Sequence, residues 1–182
     1  IVVDGAADNR APKIYLISKF NSAGNWIWAT TMSSHDESPD DREDLWIFQI
    51  ESDLSGNTYL YAYYEHGITL GDDTILPPDQ ENYGMFIAKL NPQGNFVWAI
   101  GYNPNYIGAL RFSISDSGNL FFTGEISGTE NYGEFEISSS GLQDAMIALL
   151  NPDGDWEWVV GIEGTKSIGV DIAVDVDENV FF

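Results

Sequence analysis

A turn sequence that occurs three times along the chain constrains the fold more than any other feature. Residues 19–29, 89–99 and 149–159 share an asparagine, a glycine three positions later and a tryptophan four positions after the glycine. Two copies read Asn-Pro-x-Gly, in which proline presets φ at the second turn position and glycine adopts the left-handed conformation at the end. Each copy, here called the first motif, is therefore predicted to be a β-hairpin.

A second turn sequence alternates with the first. Residues 55–60 match residues 117–122, and residues 177–182 match them less well because Glu178 replaces the glycine. Apolar residues alternate along the segments before this second motif, as expected for strands with one buried face. Two hairpins in each unit of about 60 residues give four strands per unit, and the chain holds almost three units.

Strands that are apolar on both faces precede the first motif, and paired aromatic residues follow it. Such strands lie inside stacked sheets, and four-stranded antiparallel sheets stacked radially are propeller blades. The predicted fold class is therefore all-β: a β-propeller-like array of three four-stranded antiparallel blades, part of a larger or assembled propeller. The single segment 1–182 divides approximately into blades 6–62, 63–124 and 125–182, with 1–5 as the last strand of a preceding blade. A β-sandwich of about twelve strands is the alternative, but it predicts no strict period.

The repeat resembles the SBBP-type repeats of long secreted microbial β-propeller proteins. Residues 85–99 resemble the first half of that unit, residues 114–124 the second half, and residues 141–148 a restart. The resemblance implies a secreted propeller and no shared catalytic residues. The first unit departs from the pattern because it lacks the aspartate before Ile14 and carries an acidic insertion.

A narrower likeness is to quinoprotein propellers, in which an alanine, a glycine and a tryptophan at fixed spacing dock each blade on the next. Ala88, Gly94 and Trp98 have that spacing, as do residues 148, 154 and 158, although Leu90 and Leu150 replace the usual aspartate. We interpret the likeness as a shared packing solution and not as an indication of a quinone cofactor.

The acidity of the chain restricts its partners. Lys and Arg number 7 against 29 Asp and Glu, for a net charge of −22, and cysteine is absent. Such a surface repels phosphate backbones and anionic lipids, which argues against nucleic acid binding and membrane insertion. With the resemblance, the acidity leads us to expect an extracellular or cell-surface location. Without cysteine, thiolate catalysis and disulfides are excluded.

Candidate site residues are few. For metal binding, the turn carboxylates Asp153, Asp155 and Glu157 are candidates for a calcium site, and no other cofactor is expected. For ligand binding, four tyrosines could stack on sugar rings: Tyr63, Tyr64, Tyr102 and Tyr106. The acidic run 35–44 lacks EF-hand spacing and is interpreted as a solvated loop, and no catalytic residue can be assigned.

These observations favour a non-enzymatic extracellular repeat module with a structural, adhesive or ligand-binding role. A propeller enzyme acting on polysaccharide, as a lyase or glycosidase, and a calcium-dependent carbohydrate-binding module remain the alternatives. The expected partners are further blades of the same chain or other copies, joined through the apolar edge strands Ile1–Val3 and Val180–Phe182. A carbohydrate or protein ligand is compatible with the same surface.

Overall fold

The computed structural model describes residues 13–34, 45–65, 67–71, 74–76, 83–102, 110–164 and 166–182. Over these ranges the regular structure is entirely β, which confirms the predicted all-β class. In chain order the strands are β1 (Ile14–Phe20), β2 (Trp26–Ser34), β3 (Leu45–Ser52), β4 (Thr58–Glu65), β5 (Ile68–Leu70), β6 (Thr74–Leu76), β7 (Tyr83–Leu90), β8 (Phe96–Tyr102), β9 (Arg111–Ile114), β10 (Leu120–Ile126), β11 (Thr129–Tyr132), β12 (Phe135–Ser138), β13 (Asp144–Leu150), β14 (Trp156–Ile162), β15 (Ala173–Val174) and β16 (Val180–Phe181). In this part of the chain, no helical segment has the length and apolarity needed to cross a membrane.

The strands form three four-stranded antiparallel sheets and two two-stranded ones. Sheet A has the order β1-β2-β5-β6, sheet B the order β3-β4-β7-β8, and sheet C the order β14-β13-β10-β9. Sheets D and E are the hairpins β11-β12 and β15-β16. None of the sheets closes on itself.

Sheets B and C are built in the same way from consecutive sequence. In each, the hairpin around the second motif pairs through its second strand with the hairpin around the first motif, by β4–β7 and β10–β13 contacts. A further hairpin is inserted between them, β5-β6 in one case and β11-β12 in the other. The inserted hairpin β5-β6 joins sheet A, where β5 pairs with β2. The predicted blades 6–62, 63–124 and 125–182 remain a prediction, and the strand predicted at 1–5 lies outside the described residues.

By its internal contacts the chain divides into two compact units. One comprises Ile1–Ile50 with Gly56–Asn103, and the other comprises Glu51–Ser55 with Pro104–Phe182. Sheet A and nearly all of sheet B belong to the first unit, whereas sheets C, D and E belong to the second.

The asparagine of the first motif forms the turn through its side chain. Asn91 Oδ1 accepts the backbone N–H groups of Gln93 and Asn95, each at 3.0 Å. Asn21 and Asn151 do the same in their own turns. An asparagine side chain that holds the chain two residues ahead is a common turn device. The repeated asparagine is therefore explained by backbone geometry and not by ligand binding.

The second motif keeps its shape even where its glycine is missing. Gly56 and Gly118 have left-handed φ angles of 84° and 88°, and Glu178 adopts the same region at 61°. A non-glycine residue pays for this conformation in steric strain. The Glu178 carboxylate accepts hydrogen bonds from Ser117 Oγ at 2.5 Å and Asn119 Nδ2 at 3.2 Å, which hold it in place. Residues 177–182 are thus a true third copy of the second motif.

One hydrophobic core lies between sheets A and B in the first unit. Sheet A contributes one face of β1 and β2, and sheet B contributes the facing side chains of β4 and β7. The buried members include Ile17, Trp28, Met32, Leu60, Ala62, Phe86, Ala88 and Leu90. Face-to-face burial of this kind is what the strands with two apolar faces predicted.

Candidate functional site

A tryptophan joint connects sheets A and B. The Trp28 ring, only 7% exposed, lies against the backbone of Gly94, where an added Cβ atom would come within 2.5 Å of the ring. Trp28 Nε1 donates a hydrogen bond of 2.9 Å to the backbone oxygen of Pro92. Only glycine allows both the left-handed φ of 86° and this close approach. We call Trp28, Pro92 and Gly94 together the tryptophan joint.

A second contact closes the same interface. Lys19 Nζ lies 3.5 Å from the backbone oxygen of Gly56, at the turn between β3 and β4. The motif residues of one sheet thus contact the motif residues of its neighbour. Within the first unit, the motif tryptophan Trp28 and the motif glycine Gly94 therefore serve the packing between sheets A and B.

The four tyrosines predicted to bind a ligand fall in different places. Tyr63 is half-buried and donates a hydrogen bond of 2.6 Å to Glu65 Oε1. Tyr64 is buried against Phe86, with ring centroids 5.8 Å apart, and therefore contributes to the core. The Tyr102 side chain and Tyr106 lie outside the described residues.

Sheet B exposes two aromatic side chains beside Tyr63 that the sequence did not single out as a site. Trp46 and Phe48 on the edge strand β3 are 41% and 44% exposed. Their ring centroids lie 5.4 Å from those of Tyr63 and Tyr61 respectively, with the ring planes tilted by 50° and 30°. Trp46, Phe48 and the half-buried Tyr63, here called the aromatic strip, form an exposed aromatic surface of the first unit, and the buried Tyr61 supports Phe48 from within the sheet. The alternation of apolar residues could not reveal this exposure. Leu110, just before β9, and Phe112, in β9, alternate in the same way and yet are buried.

The predicted calcium ligands lie on an exposed hairpin turn. Asp153, Asp155 and Glu157 are all exposed. Glu157 Oε1 accepts a hydrogen bond of 2.7 Å from Asn151 Nδ2, which is the turn asparagine. Calcium needs six to eight oxygen ligands. Among the described residues, no group of three or more acidic or histidine side chains is placed to hold a metal ion.

We therefore expect removal of these carboxylates to leave the calcium response unchanged. The triple variant Asp153→Asn, Asp155→Asn, Glu157→Gln should show the same shift in melting temperature on calcium addition as the wild type. Any cation stabilises a chain of net charge −22 by screening, so magnesium at equal ionic strength is the control. A calcium-specific shift that the variant loses would place a site at this turn.

Asp144 has a structural role at the start of β13. Asp144 is buried, and its Oδ2 accepts hydrogen bonds from Ser140 N at 2.6 Å and Ser140 Oγ at 2.9 Å. Its Oδ1 accepts one from Gly164 N at 3.2 Å. These hydrogen bonds, that of the Ser140 backbone above all, hold the pKa of Asp144 below its ordinary 3.8. In sheet B the equivalent position is Gly84, and the Tyr64 ring fills the space.

The lowered pKa of Asp144 predicts a pH-dependent contribution to stability. Its ionised form is favoured by folding, so the contribution is complete above the unfolded pKa and is lost as the pH falls through the folded value. The Asp144→Asn variant should have a smaller free energy of unfolding than the wild type at pH 7. This gap in stability should narrow below about pH 4. Urea denaturation at several pH values measures it, with the exposed Asp153→Asn as control. A gap that stays constant down to pH 3 would contradict the assignment.

A buried carboxyl on the inserted hairpin β11-β12 escaped the sequence analysis. Glu130 is 6% exposed; its Oε2 accepts a hydrogen bond of 3.0 Å from Tyr132 Oη, and within the described structure its Oε1 has no partner. Burial raises the pKa of Glu130, although the bonds from Tyr132 and the Ser127 backbone oppose the rise. The signal in the sequence was weak: Glu130 and Tyr132 are two residues apart and so share one face of a strand.

No family model matches the chain, and no curated protein matches it.

Proposed function

We propose that this chain is a non-enzymatic extracellular repeat module of the β-propeller type with a structural or adhesive role. The observation that carries the proposal is the tryptophan joint, in which a repeated tryptophan of one sheet binds a repeated turn of the next. The motif residues thus serve the stacking of sheets. In repeat proteins of this kind, each unit buries its apolar surface only against a neighbour.

The size of the buried surface explains why stacking is required. A tryptophan buries roughly 200 Å² on packing, which at about 25 cal/mol per Å² corresponds to about 5 kcal/mol before the entropy cost. The facing strand β7 adds Phe86, Ala88 and Leu90, all with no exposed area. A lone sheet with two apolar faces would expose this surface to water. The repeat therefore has a physical reason to occur in several copies.

The location follows from composition and resemblance. A net charge of −22 keeps copies apart in dilute salt and is better tolerated where ions screen it. The SBBP-like pattern of turns is that of secreted microbial propellers. Both the net charge and the pattern of turns favour an extracellular or cell-surface location.

Hydrogen exchange on variants of Trp28 tests the proposal. Trp28→Ala should reduce the protection of the amides of β1 and β2, because the hairpin loses its anchor on sheet B. Trp28→Phe should have a smaller effect, since it removes only the hydrogen bond to Pro92 and part of the ring. Trp26→Ala is the matched control, because Trp26 on the same strand is 63% exposed. Unchanged protection in Trp28→Ala would show that the joint does not hold the sheets together.

Enzymatic activity is tested separately. We expect no release of reducing or unsaturated ends when the chain is incubated with a panel of acidic and neutral polysaccharides. Turnover of any of them would replace the proposal by the enzyme alternative, and Glu130 would then be the first residue to substitute.

The aromatic strip supports carbohydrate binding as a second candidate function. Exposed aromatic faces stack on the apolar faces of sugar rings, and the Tyr63 hydroxyl with Glu65 offers polar atoms beside them. Contiguous exposed apolar surface commonly marks an interaction site.

Substitution of Trp46 tests whether the aromatic strip binds a glycan or whether any exposed tryptophan would do so. If a neutral glycan binds, Trp46→Ala should weaken the affinity at least tenfold in titration calorimetry. Trp26→Ala removes an exposed tryptophan that has no tyrosine partner in the strip and should leave the affinity unchanged. An equal loss of affinity in both variants, or an affinity that neither variant changes, would show that the aromatic strip is not the binding site.

A further inference from the structure

The two inserted hairpins, β5-β6 and β11-β12, have equivalent positions in the repeat. Gly71 follows β5 and Gly133 follows β11, with left-handed φ angles of 61° and 62°. An added Cβ atom at Gly71 would lie 3.3 Å from the Phe96 ring, and one at Gly133 would lie 3.2 Å from the Trp156 ring. Phe96 and Trp156 are the first residues of β8 and β14. The two hairpins can therefore be compared residue by residue.

This comparison shows a glutamate where the other hairpin has a buried isoleucine. The residue three positions before the glycine is Ile68 in β5 and Glu130 in β11. Ile68 has no exposed area and pairs with Leu76, whereas Glu130 is 6% exposed and pairs with Ile137. A carboxylate in an apolar position is costly unless it is paired or protonated. The one unpaired oxygen of Glu130 is thus the exception to an otherwise apolar contact.

The hairpin β11-β12 packs on sheet C through the face that carries Glu130. Tyr132 lies edge-on against Trp156, with ring centroids 5.1 Å apart. Ile137 Cδ1 lies 3.1 Å from the place of a Cβ atom at Gly161 in β14. Over the described ranges, the recorded strand pairing of β11 and β12 is with each other. The described contacts of the hairpin with sheet C are therefore made by side chains.

Basic side chains are scarce in the second unit. Its only basic residues are Arg111 and Lys166, and it has no histidine. Arg111 pairs with Thr123, on the face of sheet C opposite to the hairpin, and its guanidinium donates a hydrogen bond of 2.9 Å to the Leu110 backbone oxygen. Lys166 is exposed. As far as this unit is described, Glu130 is buried without a cation beside it.

The charged groups that face Glu130 or flank the hairpin are acidic. Asp144 lies opposite Ile126 on the face of sheet C that the hairpin covers, and its carboxylate already accepts hydrogen bonds from Ser140 and Gly164. Glu125 precedes Ile126 and therefore lies on the other face of β10. The remaining carboxylates near the hairpin are all exposed: Glu134, Glu136 and Glu163. Negative neighbours disfavour the ionised form of a carboxyl.

We propose that Glu130 is a pH-sensitive switch: the hairpin β11-β12 packs on sheet C while Glu130 is protonated and loosens when Glu130 ionises. Ionisation places a charge in the apolar contact, which must admit water to solvate it. Burial raises the pKa of Glu130 above its ordinary 4.5. The contribution of the protonated form to stability is therefore complete below the unfolded pKa and is lost as the pH rises through the folded value. This inference concerns the second unit and does not depend on the tryptophan joint.

Hydrogen exchange of the whole chain at pH 5 and pH 8 tests the switch. After correction for the intrinsic exchange rates, the protection of the β11 and β12 amides should fall at least threefold from pH 5 to pH 8. The amides of β10 and β13 should keep their protection. An ordinary carboxyl is ionised throughout this range, and the second unit has no histidine that would titrate within it.

Two variants of Glu130 separate its charge from its packing. Glu130→Ile introduces the residue that Ile68 provides in the equivalent position, and Glu130→Gln keeps the shape of the side chain without its charge. In both variants the protection of β11 and β12 should be the same at pH 5 and pH 8. Glu136→Gln is the matched control, because it removes one negative charge from the exposed face of the same hairpin. It should retain the pH dependence of the wild type.

Three results would overturn the switch. The first is a wild type whose β11 and β12 amides are equally protected at both pH values. The second is a loss of protection in the Glu130 variants equal to that of the wild type, with β10 and β13 still protected to show that the variants are folded. The third is a Glu136→Gln variant that loses the pH dependence, which would assign the effect to net charge.

Carbon-13 NMR of the carboxyl group gives an independent readout. The Glu130 signal can be assigned by its absence from the spectrum of Glu130→Gln. It should titrate above the ordinary value of 4.5, and the protection of the hairpin should stop falling once this titration is complete. Titration of Glu130 at the ordinary value would contradict the switch.

Discussion

Gly94→Asn is expected to destabilise the chain by about 2–4 kcal/mol, whereas Gly24→Asn should cost less than about 1 kcal/mol. Both glycines have left-handed φ angles, which asparagine tolerates better than other residues. The difference is therefore steric. A Cβ atom at Gly94 would lie 2.5 Å from Trp28 Cδ2 and displace the ring, which loses its burial and its hydrogen bond to Pro92. A Cβ atom at Gly24 meets open space in the described structure.

Urea denaturation followed by tryptophan fluorescence measures this difference, at a protein concentration low enough to keep both variants monomeric. Combining Gly94→Asn with Trp28→Ala should recover part of the loss, because the clash disappears with the ring. Equal destabilisation by the two asparagine variants would show that turn conformation, and not the tryptophan joint, requires the glycine.

Gly169→Ala is expected to destabilise the second unit by about 2–4 kcal/mol, against less than about 1 kcal/mol for Gly164→Ala. An added Cβ atom at Gly169 would overlap Thr123 Oγ1 and lie 3.0 Å from the backbone nitrogen of Gly124. Thr123 is fully buried and donates a hydrogen bond of 2.9 Å to the Met146 backbone oxygen, so it cannot move without breaking that bond.

Gly164 is the matched control because neither glycine has a positive φ angle. Its added Cβ atom would meet Ser167 Oγ at 3.1 Å, which is tight but does not involve a strand backbone. Hydrogen exchange of the β10 and β13 amides localises the effect. If Gly169→Ala retains wild-type protection there, the segment before β15 does not pack on β10 as described.

The hairpins could be predicted from the sequence because their causes are local. An asparagine that accepts two backbone N–H groups and a left-handed glycine three residues later specify the turn within a few residues. Glu178 in place of the motif glycine weakens the sequence match. The turn keeps its conformation because Ser117 and Asn119 bind the Glu178 carboxylate. The candidate sites were harder to predict, since acidic residues and tyrosines are abundant and their burial depends on neighbours.

Turn chemistry and alternating apolar residues, both readable in the sequence, thus determined that the chain folds into repeated antiparallel hairpins. The tertiary structure alone decided which hairpins share a sheet and which apolar faces are covered. It placed the inserted hairpin β5-β6 beside β2, and it left Trp46 exposed while burying Phe112. It also gave Asp144 hydrogen bonds at the start of β13, where the equivalent position of sheet B is Gly84. The physical reason is that a turn is fixed by contacts within a few residues, whereas burial depends on surfaces distant in sequence, which apolar alternation does not specify.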